Sequence, residues 1–156
     1  MLREEFINDF RRFTQIIAAQ GCGSIQANQC EVTYVNIIPA GEGWTSPGEL
    51  AEVFTLFRSD YSDEGLGVPE EAAVISSYVI KDGDNSIGRL HVAIAPVVRE
   101  RDGASALRMS LTARGLPADE SLDGVLAFLD RGHKTIVRSF ASLTTPKMHN
   151  IWGRKL

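Results

Sequence analysis

Between residues 72 and 114 the chain carries three stretches of strand character, joined by turns at Asp82-Gly83-Asp84-Asn85 and Asp102-Gly103. Asp-Gly is a strong hairpin signal, because both central residues of a type I′ turn take positive φ. The pattern predicts antiparallel strands at about 72–81, 86–100 and 104–114. If Asp102 and Gly103 are the two turn residues, Arg101 pairs with Ala104, and Val92, Ile94, Pro96 and Val98 oppose Ala113, Leu111, Met109 and Leu107 on one apolar face. The other face then carries Arg89, His91, Ala93, Ala95, Arg99, Arg108, Ser110, Thr112 and Arg114, a cationic surface around a floor of small side chains. Pro96 has no amide hydrogen to give a ladder, which points to an edge or a bulge rather than a regular central strand.

The rest of the chain supplies one more strand and three helical segments. Leu2, Phe6, Phe10, Phe13 and Ile17 recur at helical spacing with charges opposite, predicting an amphipathic helix over about 2–19 that Gly21 and Gly23 end. Val32, Tyr34, Val35, Ile37 and Ile38 predict a strand at 29–38, closed by Pro39. Ser46-Pro47-Gly48-Glu49 has the form of a capping box opening a second helix, with Leu50, Val53, Phe54 and Phe57 as its stripe, and residues 58–70 form a surface loop. A strong helix follows over about 119–143, with Leu122, Val125, Leu126, Leu129, His133, Ile136, Val137 and Phe140 on one face. At 1.5 Å per residue it spans roughly 35–40 Å, enough to cross the sheet. Thr145-Pro146 then opens a short terminal turn. The expected fold class is α+β: an antiparallel sheet of about four strands packed by a long C-terminal helix and two shorter helices, in one domain over residues 1–156.

Composition limits the function. The chain has 16 Lys and Arg against 20 Asp and Glu, a formal charge of -4, so no global basic field exists to hold a phosphate backbone, and nucleic acid is disfavoured. Charges at Arg3, Glu4, Glu5, Asp9, Arg11 and Arg12 exclude a signal peptide or membrane span in the first helix, which predicts a cytoplasmic protein with Cys22 and Cys30 reduced. Their spacing matches no zinc motif, and no metal or cofactor is expected. Neither a phosphate-binding glycine loop nor a Gly-x-Ser-x-Gly elbow is present.

The candidate site residues are few. His133 sits in the apolar stripe of the long helix with Asp130 one turn earlier, where a carboxylate orients an imidazole; a core histidine bonded to backbone has the same pattern. In the expected register His91 lies opposite Arg114, and with Arg89 they outline an anion pocket, or else a solvated outer face whose arginines discourage edge pairing. Tyr34 and Asn36 share a strand face and either line a polar cavity or, for Asn36, mark a bulge or bond a neighbouring loop, while Trp44 and Trp152 seal the core or else anchor an interface.

The segments Glu31-Val32-Thr33-Tyr34-Val35-Asn36, His133 with Ile136-Val137-Arg138-Ser139-Phe140, and Thr145-Pro146-Lys147-Met148-His149-Asn150-Ile151-Trp152-Gly153 resemble a sporadically distributed bacterial family of uncharacterised proteins. Family members are longer at the N-terminus, so the resemblance implies that this chain corresponds to their C-terminal portion. It carries no catalytic residue onto the sequence.

The expected function is therefore a non-enzymatic binding or assembly module, a homodimer that meets a protein partner or an anionic small molecule through its sheet face or long helix. The alternative is a small enzyme with His133 or His91 as acid-base and Arg89 and Arg114 holding an anionic substrate. The position of His133 separates the two: a walled-in ring excludes catalysis, and a ring oriented by Asp130 in an open cavity favours it.

Overall fold

The chain runs from a helix and a strand through a short helical turn to three consecutive strands and two closing helices, and the computed structural model describes it over residues 2–41, 43–57 and 71–154. In chain order they are α1 (Leu2–Ala19), β1 (Cys30–Pro39), a 3-10 turn (Pro47–Glu49) running into α2 (Leu50–Val53), β2 (Val74–Asp82), β3 (Asn85–Val98), β4 (Ser105–Gly115), α3 (Leu122–Leu143) and α4 (Pro146–Ile151). The loop expected at 58–70 lies outside the described residues. The four strands form one antiparallel sheet in the order β1-β4-β3-β2, which leaves β1 and β2 as edges. The protein is α+β, with α3 lying on one face of that sheet.

The core is the α3-facing side of the sheet. Leu90, Val92, Ile94, Leu107, Met109, Leu111 and Ala113 are buried there against Ile136 and Leu143 of α3. Trp44, Leu50, Val53, Phe54 and Met148 close one end of the same cluster. Each fully buried aliphatic or aromatic side chain contributes about 1.5–3 kcal/mol.

The β3–β4 hairpin keeps the predicted faces but not the predicted register. Val92 pairs with Leu111, Ile94 with Met109 and Pro96 with Leu107, two residues away from the expected alignment. Asp102 does not take positive φ; only Gly103 does, at 67°. The ladder closes at Arg99–Ala104 around a four-residue loop, with Asp102 accepting from the Ala104 amide and pairing with Arg99. A slip of two residues preserves the side-chain alternation, so the apolar face survives the error. Pro96 lies in an interior strand, yet β2 pairing ends at Val74–Ile94, so β3 is locally an edge where proline sits.

Four helical expectations change as well. α2 is only four residues long, and Phe54 leaves it to bridge Thr144. Ser46 makes no capping bond; Glu49 instead accepts from the Thr45 amide at 2.6 Å, which holds its carboxyl below the ordinary range. The long helix starts at Leu122 rather than 119, because Ser121 caps the Gly124 amide. Its buried stripe runs through Val125, Phe128, Gly132 and Ile136, one position round from the predicted line, leaving His133 exposed and Val137 half exposed.

Candidate functional site

On α1, Phe6, Phe10 and Phe13 follow at four- and three-residue spacing and so share one face. That face is not packed shut. It roofs a groove of about 810 Å³ whose far wall is Val125, Leu126 and Leu129 of α3 and whose floor is Cys30, Val32 and Tyr34 of β1, with residues 25–29 closing one side. The volume falls within the roughly 300–1,000 Å³ of ligand-binding clefts. Phe13 is 53% exposed and Phe6 37%, large values for the apolar side of an amphipathic helix. At the mouth, the Arg3 guanidinium meets Asp130 at 3.4 Å, and both side chains are more than half exposed. Such a pair contributes about 0–1 kcal/mol.

His133 stands in the wall of this groove. Its Nδ1 lies 2.6 Å from the Tyr34 hydroxyl, with the two rings 5.6 Å apart and tilted by 50°. If the tyrosine donates, the neutral ring keeps its proton on Nε2. Asp130, expected to orient the imidazole, is turned to Arg3 instead. Tyr34, placed by its strand face, is the partner that helical spacing alone did not reveal.

The other candidates sit on the opposite side of the sheet. In register across β1, β4, β3 and β2, one row reads Glu31, Arg114, Arg89, Val79 and the next Thr33, Thr112, His91, Ser77. Arg114 is held by Glu31 at 2.6 Å, and His91 bonds Ser77 at 3.0 Å; Arg114 therefore faces Arg89, not His91 as the two-residue turn implied. Cations and the Glu31 carboxylate alternate there over a floor of Ala93, Ala95 and Ser110, a solvated sheet face rather than a closed anion pocket.

No family model, curated protein or solved structure matches this chain. The segments that carry the family resemblance are accordingly interpreted from their contacts. The terminal one is a clasp: Thr145 caps α4 through the Met148 amide, its hydroxyl donates to the Glu52 carbonyl at 2.6 Å, and Lys147 pairs with Glu52 at 2.8 Å. His149 bonds the buried Thr144 hydroxyl at 2.7 Å, and Trp152, partly exposed, stacks on Phe140. These residues fasten the end of α3 to α2. Trp44, by contrast, is sealed in the core.

Among the described residues no group of three or more His, Cys, Asp or Glu side chains is placed to hold a metal. Cys30 is buried and its thiol is pushed up by burial, which suppresses the thiolate needed for nucleophilic chemistry; Cys22 is exposed and free. No helix among the described residues is long and apolar enough to cross a membrane.

Proposed function

We propose that the protein is a non-enzymatic binding module that takes an extended apolar segment of a protein partner into the groove beneath α1. The observation that carries this is the groove's position: its floor is the free edge strand β1, and three phenylalanines of α1 hang over it. An edge strand offers unpaired backbone groups to an incoming strand. Alternate side chains of that strand would point to the α3 side and fill the space between the Phe6, Phe10 and Phe13 face and Leu126 and Leu129. Filling it removes from water the aromatic surface that α1 leaves exposed, at about 25 cal/mol per Å².

Enzymatic chemistry has one supporting feature, the Tyr34–His133 pair open to the groove. The arginines that were to hold an anionic substrate lie across the sheet from that imidazole, so acid-base group and anion clamp do not converge.

The test is native mass spectrometry of the purified chain and of Leu129→Arg, which places a cation in the groove wall. A polypeptide retained by the parent and lost by the variant is the expected result, with amide protection along β1 in the complex. A homodimer lost in the same way identifies the partner as a second copy. Bare monomer in both samples, or a retained small amphiphile in place of a polypeptide, overturns the proposal.

A further inference from the structure

Among the described residues the two outer strands of the sheet, β1 and β2, have no partner on their outer edges, and these edges differ in chemistry. Beside β2, Val79, Ile80 and Lys81 together with Arg131, Lys134 and Arg138 of α3 line a second cleft of about 610 Å³. Four of the 16 basic residues of an acidic chain thus meet at one strand edge. The nearby carboxylates are already engaged: Asp82 pairs with Arg131 at 2.7 Å and Asp130 with Arg3. No side-chain hydrogen bond or ion pair holds Lys81, Lys134 or Arg138 among the described residues.

A second copy is a poor occupant for this edge, because pairing β2 with β2 brings the same cations face to face. An acidic strand is a good one. Along α3, the unengaged Lys134 and Arg138 are about 6 Å apart, close to the roughly 6.6 Å between same-face residues of a strand. We infer that the β2 edge docks an acidic segment in extended conformation, its backbone pairing with β2 and its carboxylates facing Lys81, Lys134 and Arg138. The site shares Asp130 with the groove under α1 but is built on the opposite edge strand, and its test reads β2 rather than β1, so the two proposals can fail separately.

The experiment uses the full chain and a fluorescent decapeptide of alternating Glu and Val, followed by anisotropy at low and moderate salt. The expected result is binding that weakens as salt rises, falls about tenfold or more in Lys134→Glu/Arg138→Glu, and is unchanged in Arg108→Glu on the far sheet face. Hydrogen exchange in the complex should protect the β2 amides. A neutral Lys81→Gln/Lys134→Gln/Arg138→Gln chain gives the same comparison should charge reversal disturb folding. Equal affinity in parent and cleft variants overturns the inference, as does equal loss in Arg108→Glu. So does displacement by inorganic triphosphate without β2 protection, which would mark the cleft as a phosphate site. Absence of binding would leave the lysines and arginines as protection of the edge against aggregation only, and would overturn it too.

Discussion

Gly132 decides how α3 lies on the sheet. A Cβ at this position would meet Val32 Cγ1 at 2.8 Å and the Ala113 side chain at 3.1 Å, so helix and strands approach each other through the missing side chain. Replacing it with valine forces them apart and adds a β-branched residue to a helix interior; Gly132→Val should lower stability by about 1–3 kcal/mol, read from the denaturant midpoint. The same residue explains why His133 was misplaced. Apolar periodicity gives no credit to glycine, so the stripe it predicts passes through the imidazole next to it. Phe128, buried though off the drawn line, is the other side chain that defines the true contact face. What spacing could say about His133 was limited to neighbours on its own helix, and Tyr34, 99 residues away in sequence, is visible only once β1 is set against α3.

At the level of elements, the strands and long helices were legible because each has its own period, two for β1 through β4 and 3.6 for α1 and α3. Turn chemistry was less so. Asp102-Gly103 contains the right residues for a two-residue turn, but the aspartate serves better as an acceptor for the Ala104 amide and a partner for Arg99, and the loop widens to four. α2 stops at Val53, where Phe54 turns extended and bridges Thr144 at the junction between α3 and α4. Thr145 organises that junction. Thr145→Ala removes a cap and a bond to the Glu52 carbonyl, and should cost about 1–2 kcal/mol, seen as a lower thermal midpoint.

For the molecule as a whole, the pH dependence of stability follows from three groups. Glu49, held low by the Thr45 amide, and Asp119, held low by Ser121, contribute stability above their ordinary range and lose it as pH falls below about 4.5. Cys30 has the opposite sign: its thiol is raised by burial, so the folded state binds the proton more tightly than the unfolded chain. Stability should fall as pH rises above about 9, and Cys30→Ala should flatten that alkaline limb in denaturant titrations. The α+β class is legible in the sequence because it depends on element types and their order. The groove could not, since Phe10, Val32 and Leu129 come together only when α1, β1 and α3 are placed.

One consequence concerns α1. Residues 20–29 join it to β1 with no helix or strand of their own, and near its far end Arg3 pairs with Asp130. A connection of this length keeps a tethered group near its site, at an effective concentration of about the millimolar range. α1 is thereby an intramolecular competitor for the groove it roofs. An occupant that shuns the phenylalanines must displace it and forfeits affinity, whereas one that packs against them acquires a second wall whose ordering the tether has already largely met.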